Sequence, residues 1–383
     1  MSEEKSITEY SFEDLNINDD LLRGIYSYGF EKPSNIQYKS LPIFNSGKDM
    51  IAQSQSGTGK TGAFSIGILN NIDTNLKKTQ YIILTPTHEL AKQIHNVVEN
   101  LGARMDISIC KVIGKTSINL SIEDLKKEPQ IIVATPGRLF DMINKRHIFT
   151  DNIKTLVIDE ADEMLSSGFM EILQNIIRCM PKTCQMCLFS ATMPQEIIDL
   201  TENFMNNPEK LLINKDELTL EGIKQFYIDL KQYNWKFDVL YDIYETINVT
   251  QSIIYLNSKN VLNNLYDRLT RDNFPVSYIH GDMHSSEREK NLTDFKNGIT
   301  RIMLSTDLLS RGIDIQQLSL VINFDLPKNK ETYIHRIGRS GRYGRKGTAI
   351  NFVTNEDIEH MKEIQKFYNT KIDEMPQNLA DYL

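Results

Sequence analysis

The sequence DMIAQSQSGTGKTGAFSIGILNNI, residues 49–72, contains a short apolar run, a glycine-rich loop and a helix-like segment in that order. The loop SQSGTGKT is typical of a phosphate-binding loop, in which backbone N–H groups and a helix N-terminus face phosphate oxygens. Ser54 stands where the usual pattern has its first glycine, but G-T-G-K-T between a strand and a helix remains specific. We therefore predict a nucleotide site in which Lys60 reaches the terminal phosphates and the Thr61 hydroxyl holds Mg²⁺.

Short β-branched runs recur on both sides of this loop, separated by amphipathic, helix-like segments. They are YIILTPT, ISICKVIG, QIIVATP, TLVIDEAD and QMCLFSAT in the first half, and QSIIYLNS, VSYIHGD, RIMLSTD, LVINFDLP and GTAINFVT in the second. This pattern predicts an α/β fold with two mostly parallel sheets, each flanked by helices. Polar clusters follow nearly every run, and ligands of parallel sheets bind at these carboxyl ends, so we expect two such edges to face one cleft.

The length of 383 residues favours two domains over a single core. KDELTLEGI, residues 215–223, has charge and a glycine but no apolar run, which is typical of a linker. We therefore predict an N-terminal nucleotide-binding domain over residues 1–214 and a C-terminal domain over residues 224–383.

The composition favours a soluble globular protein, with 40% hydrophobic and 25% charged residues. A net charge of -8 predicts no strongly basic surface, so any phosphate-binding footprint must be local. The first ten residues, MSEEKSITEY, lack the pattern of a secretory signal, so we expect a cytoplasmic protein. Cys179, Cys184 and Cys187 lack a second ligand pair at zinc spacing, and QMCLFSAT is better interpreted as a buried strand.

The carboxylates of TLVIDEAD follow an apolar run where a buried strand should end. Asp159 would hold Mg²⁺ through its water shell, and Glu160 can accept a proton from an attacking water. The alternative is that Asp159 only caps a surface helix, which by itself is commoner than catalysis. Because a phosphate loop needs a carboxylate strand nearby, we favour the catalytic interpretation.

The run YIHRIGRSGRYGRKG, residues 333–347, supplies a local basic footprint. Arg336, Arg339 and Arg342 are three residues apart, which predicts that they lie on roughly one side of a helix. Guanidinium groups at such spacing suit a polyanion, or a γ-phosphate approached across a cleft. A solvated basic helix is the alternative.

Together these motifs resemble the DEAD-box RNA helicases, and their order covers nearly the whole chain. The tetrapeptide DEAD occupies residues 159–162, and GFEKPSNIQ, PTHEL, TPGR, SAT, SRGID and HRIGRSGR stand in the order of that family, with Phe12 as the upstream aromatic. The ending EMPQNLADYL and the linker ELTLEGIKQFY are most similar to the translation initiation factor four-A subfamily. The resemblance implies two tandem RecA-like domains, RNA-dependent ATP hydrolysis, a monomer and a scaffold partner in translation initiation.

The resemblance also implies the nucleotide site. Gln37 would bond the Hoogsteen edge of adenine while Phe30 stacks on the ring, which would favour ATP over GTP. Asp314 would bond the ribose, Tyr343 would cover the adenine, and Arg339 and Arg342 would be arginine fingers. The full predicted set is Phe30, Lys32, Gln37, Ser54, Gln55, Ser56, Gly57, Thr58, Gly59, Lys60, Thr61, Gly312, Asp314, Arg339, Arg342 and Tyr343.

By the same resemblance, RNA would be bound through its backbone and 2′-OH groups, with little sequence preference. The implied contacts are Pro86, Thr87, His88, Gly114, Thr135, Arg138 and Thr306. Ser190 and Thr192 would connect Asp162 to His335 of the second domain.

The chain departs from the family pattern at His88, Lys115, Ser285 and Ser310, where the family usually has arginine, glycine, glutamine and alanine. A histidine with an ordinary pKa near 6.5 is largely neutral at physiological pH, so RNA binding should be weaker. None of the four is a nucleotide-site residue, so ATP hydrolysis should persist.

The leading interpretation is an RNA-dependent ATPase that closes its two domains on ATP and RNA and separates a short duplex locally. The alternative is an ATP-gated RNA clamp or assembly platform in which unwinding is incidental. A P-loop ATPase that acts on DNA or protein has no motif in its favour beyond the phosphate loop.

Overall fold

The computed structural model describes residues 10–166, 168–212, 223–246, 250–310, 318–340 and 347–376. It divides into two compact units, Met1–Ile213 and Asn214–Leu383. Each unit contains one seven-stranded sheet whose pairings are all parallel. The predicted α/β class, with two parallel sheets flanked by helices, is confirmed. The predicted linker lies outside the described residues except at Ile223, which begins the first strand of the second unit.

The sheet of unit 1 has the strand order β3-β4-β2-β5-β6-β1-β7. Its strands are β1 Met50–Gln53, β2 Tyr81–Leu84, β3 Ile109–Val112, β4 Ile131–Ala134, β5 Thr155–Asp159, β6 Gln185–Ser190 and β7 Glu209–Leu211. The helices are α1 Asp19–Tyr28, α2 Asn35–Ser46, α3 Lys60–Asn71, α4 His88–Leu101, α5 Ile118–Leu125, α6 Pro136–Asn144, α7 Ala161–Met164, α8 Met170–Arg178 and α9 Gln195–Thr201.

The sheet of unit 2 has the strand order β10-β11-β9-β12-β13-β8-β14. Its strands are β8 Ile223–Asp229, β9 Ser252–Tyr255, β10 Val276–Ile279, β11 Ile302–Ser305, β12 Leu320–Asn323, β13 Gly347–Val353 and β14 Asp373–Glu374. The helices are α10 Trp235–Thr246, α11 Lys259–Arg271, α12 Ser285–Lys296, α13 Lys330–Ile337 and α14 Ile358–Tyr368.

Each sheet is buried on both faces, which explains the nearly continuous apolar runs. In β5, Val157 packs into one apolar cluster of unit 1, while Leu156 and Ile158 pack into the other. Every predicted run contains a strand of the structure. The sequence interpretation missed β7, β8 and β14, of which β7 and β14 are short strands at sheet edges. None of the described helices combines the length and hydrophobicity needed to cross a bilayer.

Because all strands of unit 1 run in one direction, their carboxyl ends lie along one edge of the sheet, which we call the carboxyl edge. The order of the strands divides this edge. The loops after β5, β6 and β1 lie on one side, and those after β3, β4 and β2 lie on the other. The predicted nucleotide-binding residues that lie in these loops are in the loops after β5, β6 and β1. The predicted RNA contacts of unit 1 are in or just beyond the loops after β3, β4 and β2.

Candidate active site

The phosphate loop joins β1 to α3 at the carboxyl edge. Gly57 and Gly59 have φ angles of 81° and 99°, a region that glycine enters without steric cost. Lys60 begins α3 and is only 9% exposed. Its Nζ donates to the carbonyl oxygens of Ser54 at 2.6 Å and Gln55 at 3.0 Å. The ammonium group is therefore held over the loop, where phosphate oxygens would compete for the same donors.

Ser54, the departure from the usual first glycine, connects the loop to its neighbours. Its N–H donates to the carbonyl of Ser190 at 3.0 Å, which extends the contact between β1 and β6. Its hydroxyl forms a hydrogen bond with the Thr58 hydroxyl, and Thr58 Oγ1 also lies 2.7 Å from the carbonyl oxygen of Gln55. A serine thus fits this position. Ser56 and the exposed Gly57 lie between these anchored residues.

The predicted adenine-recognition residues pack directly on the phosphate loop and the start of α3. Gln37 is 5% exposed, and its Nε2 donates to the carbonyl of Gly59 at 3.3 Å. A Cβ at Gly62 would lie 2.5 Å from Gln37 Nε2 and 3.1 Å from the Phe30 ring. Gln37 also accepts the Ser34 N–H at 2.9 Å, as part of the capping box of α2. Gln37 therefore contacts the loop at Gly59, and Phe30 and Gln37 both contact α3 at Gly62, which the sequence interpretation did not anticipate.

Two further predicted residues, Lys32 and Phe12, lie in the same part of the sequence. Lys32 is exposed at the surface. Phe12 is fully buried in a short 3₁₀ helix, with its ring edge-on to Tyr26 at 6.2 Å.

Asp159 ends β5 and is 3% exposed. Burial, followed by the neighbouring charges of Glu160 and Asp162, raises the pKa of Asp159 to about 7, against the opposing effects of Lys60 and of the Glu160 N–H. Glu160 follows in the left-handed region at φ 52°, ψ 52°, and its N–H donates to Asp159 Oδ1 at 3.0 Å. Such a backbone conformation costs a glutamate energy and is often found at functional positions.

These carboxylates fit a magnesium site. Mg²⁺ prefers oxygen ligands, and Thr61 and Asp159 supply a hydroxyl and a carboxylate. Asp159 is 3% exposed and lies within the influence of Glu160 and Asp162, so a bound cation would offset buried negative charge. The influence of Lys60 on the same pKa places β5 within electrostatic reach of the phosphate loop.

Asp162 accepts hydrogen bonds on both carboxylate oxygens from hydroxyls at the end of β6 and just beyond it. Ser190 Oγ donates to Oδ1 at 2.7 Å, and Thr192 Oγ1 donates to Oδ2 at 2.5 Å. All three residues are buried. The structure thus brings together three of the four predicted coupling residues. The fourth, His335, is in α13 of unit 2.

The predicted RNA contacts of unit 1 lie close together on the other side of the carboxyl edge. Thr87 caps α4, and His88 is the first residue of that helix. A Cβ at Gly114 would lie 3.1 Å from His88 Nε2, and the Gly114 N–H donates to Thr135 Oγ1 at 3.3 Å. Pro86 is buried beside Thr87. Loops after three adjacent strands therefore meet at one place.

Arg138, in the first turn of α6, is held by internal hydrogen bonds. It donates to the Ser121 hydroxyl at 3.0 Å and to the hydroxyl and carbonyl of Thr116 at 3.4 and 2.9 Å. Lys115, one of the departures from the family pattern, has φ 55°, in the left-handed region where glycine is cheapest. The structure thus gives a conformational reason for a glycine at this position.

In unit 2, the predicted grouping of the arginines on one helix face is wrong. α13 ends at Ile337, so Arg339 lies beyond the helix, and its Nε donates to the carbonyl of His335 at 3.3 Å. Arg336 is fully buried and is no part of a surface footprint. Spacing alone could not separate a structural arginine from exposed ones.

Arg336 binds acceptors from several segments of unit 2. Its Nε donates to Asp307 at 2.6 Å, Nη1 donates to Asn323 at 3.2 Å, and Nη2 donates to Asn257 at 2.7 Å. Asp307 follows Thr306, the predicted RNA contact after β11. Arg336 therefore anchors the segment that carries Thr306, a role that the sequence interpretation missed.

A second buried group extends this network. Lys236 is 2% exposed, and its Nζ donates to Asp325 at 3.0 Å. Tyr233 donates to the same carboxylate at 3.0 Å. Asp325 also accepts the Asn257 N–H at 3.0 Å. No sequence motif pointed to this cluster.

The remaining predicted positions divide into two groups. Ser285 begins α12, and Ser310 is buried with its hydroxyl 2.6 Å from the carbonyl oxygen of Asp307. Four predicted nucleotide residues lie outside the described residues, namely Gly312, Asp314, Arg342 and Tyr343.

Family models match both units. The DEAD/DEAH box helicase model matches residues 34–200, and the helicase conserved C-terminal domain model matches residues 235–344. Together they cover most of the chain, including the phosphate loop and the carboxylates after β5.

Similar proteins of known name or structure agree with these matches. An ATP-dependent RNA helicase eIF4A from Meyerozyma guilliermondii is 54% identical over 97% of this chain and 94% of its own length. An ATP-dependent RNA helicase eIF4A from Pyricularia oryzae is 52% identical over the same shares. The structure of S. cerevisiae Dbp5 bound to RNA and ADP BeF3 is 36% identical, with a TM-score of 0.91 and 97% of each chain covered. The two sheets are thus tandem RecA-like domains, and the chain belongs to the DEAD-box family of ATP-dependent RNA helicases and is an ATP-hydrolysing enzyme.

Proposed function

We propose that this chain is an RNA-dependent ATPase that couples ATP hydrolysis to local separation of RNA duplexes, in translation initiation. The observation that carries the proposal is the division of one sheet edge. Phosphate-loop and carboxylate residues follow β1 and β5, and candidate RNA contacts follow β2, β3 and β4. Since β2 and β5 are neighbours, the two sets lie side by side on one rigid sheet.

In this proposal Glu160 is the general base of hydrolysis. It accepts a proton from water as the water oxygen bonds to the γ-phosphorus and the bond to the leaving oxygen of ADP breaks. Its backbone lies in the left-handed region, whereas Asp159 is still part of β5, and we assign the two adjacent carboxylates different roles. Lys60 binds the terminal phosphate oxygens.

Mg²⁺ would be held by Thr61 and Asp159 and would supply positive charge to the phosphate oxygens. Arg339 and Arg342 are proposed as arginine fingers that stabilise negative charge in the transition state. Phe30 and Gln37 would select adenine, and Asp314 and Tyr343 would contact the nucleoside.

Coupling between ATP and RNA is proposed to proceed by closure of the two units. Asp162, held by Ser190 and Thr192, would report the state of the nucleotide site to His335. RNA would be bound through backbone and 2′-OH contacts at Pro86, Thr87, His88, Gly114, Thr135, Arg138 and Thr306. Closure around a bent strand would separate a short duplex locally.

The similarity to proteins named eIF4A, over 94% of their length, supports a role in translation initiation. By the same argument we propose a cytoplasmic monomer that works with a scaffold protein of the initiation complex.

The test is ATPase activity measured with RNA and with DNA of the same sequence, in the wild type and in Glu160→Gln. We expect RNA, but not DNA, to stimulate ATP hydrolysis strongly in the wild type. We expect no stimulation in Glu160→Gln. Equal stimulation by DNA would contradict the proposed substrate. A strand-displacement assay combined with the ATP dissociation rate on RNA then separates an unwinding enzyme from an ATP-gated clamp, which stays closed long after a duplex has parted.

A further inference from the structure

A cavity of about 430 Å³ lies in unit 1 at the end of the sheet opposite to the carboxyl edge. Its walls include Lys78 and Thr79, which precede β2, Glu128, which precedes β4, and the segment 146–152, which precedes β5. All these strands are parallel, and each spans roughly 13–16 Å at about 3.3 Å per residue. The cavity is therefore separated from the candidate active site by the full length of the strands.

The floor of the cavity is apolar. Leu125 and Ile148 are 7% and 4% exposed, and the half-buried Ile122 lies beside them. Phe149 stands at the rim with 67% of its surface exposed. An exposed aromatic ring beside a concave apolar floor is typical of a protein-binding site, because aromatic contacts contribute most of the binding energy at interfaces.

The charge around the cavity is mainly positive. Lys78 is already paired with Glu128. Lys126 and Arg146 also line the cavity, and within the described residues neither side chain has a hydrogen bond or ion pair. Asp151 contributes an opposing carboxylate. The lining therefore carries three cations against two carboxylates, an excess of one positive charge on a chain with a net charge of -8. Lys126 and Arg146, which lack ion pairs in the part of the chain that the structure describes, can attract an anionic partner.

The backbone presents two of these charged residues in an unusual conformation. Glu128 and Arg146 have φ angles of 51° and 58°, each just after a helix, where glycine is the cheapest residue. The N–H of Arg146 donates to the carbonyl of Ile143 at 2.9 Å, which fixes the direction of the chain at the rim. Long charged side chains thus occupy positions that folding alone would fill with glycine or asparagine.

We propose that this cavity is a docking site for a short acidic segment of a partner protein that carries one bulky apolar side chain. The apolar side chain packs on Leu125, Ile148 and Phe149, and the acidic residues pair with Lys126 and Arg146. A volume of about 430 Å³ is within the usual range of ligand pockets and accommodates such a side chain. The site is distant from the nucleotide and RNA residues, so it stands whether or not the proposed function is correct.

The test begins with random dodecapeptides displayed on phage and selected on the full-length protein. Peptides that prefer the wild type over the double variant Lys126→Glu, Arg146→Glu are synthesised, and their affinities are measured by fluorescence polarisation. The control double variant Arg178→Glu, Lys182→Glu changes charge by the same amount, at exposed positions outside the cavity. Phe149→Ser removes the apolar contact without a change of charge.

We expect acidic peptides with a leucine or aromatic residue, whose affinity falls about tenfold or more in Lys126→Glu, Arg146→Glu and in Phe149→Ser but less than about twofold in the control. ATPase activity should be unchanged in all three variants, which verifies that they fold. The proposal is overturned if no peptide depends on Lys126 and Arg146, or if the enriched peptides lack acidic residues. It is also overturned if single-stranded RNA displaces the peptides and binds the cavity variant more weakly, because the cations would then serve RNA phosphates.

Discussion

Leu84 of β2 and Ile158 of β5 are register partners in neighbouring parallel strands. The residues that follow them, Thr85 to Thr87 on one side and Asp159 to Asp162 on the other, therefore leave the sheet next to each other. The pairing of β2 with β5 therefore connects the proposed RNA contacts to the proposed catalytic carboxylates within a single domain.

Glu160→Gln should abolish ATP turnover while leaving ATP binding largely intact. The substitution keeps the size of the side chain but removes the proton acceptor, and loss of a general base typically costs a factor of about 10² to 10⁴. Single-turnover hydrolysis and fluorescent-nucleotide titration separate the two effects. Unchanged RNA-stimulated hydrolysis would show that Glu160 is not the base.

Asp159→Asn should raise the melting temperature of the nucleotide-free protein. The folded pKa of Asp159 is about 7, above its ordinary value of 3.8, so the folded state binds the proton more tightly than the unfolded state. The contribution of Asp159 to the free energy of unfolding is therefore greatest below about pH 4 and is lost as the pH rises to about 7. The stabilisation by Asn should therefore be larger at pH 8 than at pH 5, as measured by thermal unfolding. An equal gain at both pH values would contradict the origin of the shift.

Thr192→Val combined with Ser190→Ala should reduce duplex separation per ATP hydrolysed. Both hydroxyls donate to the buried Asp162, and their loss leaves a carboxylate without those donors, at a cost of about 1–3 kcal/mol. Thr201→Val is the control, since it removes a buried hydroxyl that donates within α9. Strand displacement and phosphate release are measured in the same reaction. If the amount of duplex separated per phosphate released equals that of the control, Ser190 and Thr192 do not have the proposed coupling role.

His88→Arg should tighten RNA binding. His88 begins α4 next to Gly114, among the loops that follow β2, β3 and β4. An arginine there would place a permanent charge where RNA phosphates are proposed to bind. We expect about a threefold to tenfold gain at moderate ionic strength, with a steeper salt dependence. Identical affinities in a titration at fixed salt would mean that this position does not contact phosphate.

Lys115→Gly should stabilise unit 1, or at least leave its stability unchanged, although glycine usually destabilises. At φ 55° the lysine costs about 1 kcal/mol, which offsets the higher entropy of an unfolded chain with glycine. Lys127→Gly is the control, because Lys127 is an exposed lysine outside the left-handed region. It should lose about 0.5–1 kcal/mol from the glycine, and at most about 1 kcal/mol more from its exposed ion pair with Asp124. Chemical denaturation gives the free energy of unfolding of both variants, and an equal loss in the two would contradict the prediction.

The sequence predicted the buried strands well because a strand covered on both faces must be apolar throughout, as β5 and β6 are. It failed for β7 and β14, whose short, exposed edge positions require no apolar residues. It also failed for β8, in which the exposed Lys224 and Asp229 interrupt the apolar pattern. The phosphate loop and the DEAD carboxylates were found because their chemistry needs fixed residue types at fixed spacing.

Other parts of the site could not be predicted, since they depend on contacts between distant segments. Spacing put Arg336 with Arg339 on a binding surface, whereas the acceptors that surround Arg336 come from three other segments of unit 2. Lys236 reaches Asp325 across 89 residues of sequence, and no local pattern announces such a pair. A cavity at the beginnings of strands could not be predicted from the sequence either, because its walls come from segments that precede different strands.

The glycines at residues 59 and 62 have a consequence for how this enzyme can change. A methyl group at either position would collide with Gln37, and at Gly62 it would also press on Phe30. Phe30 and Gln37 therefore pack directly against the phosphate loop and the start of α3 at these two glycines. We expect substitutions that alter base preference to alter triphosphate affinity at the same time, so that a new nucleotide specificity requires paired mutations on both segments.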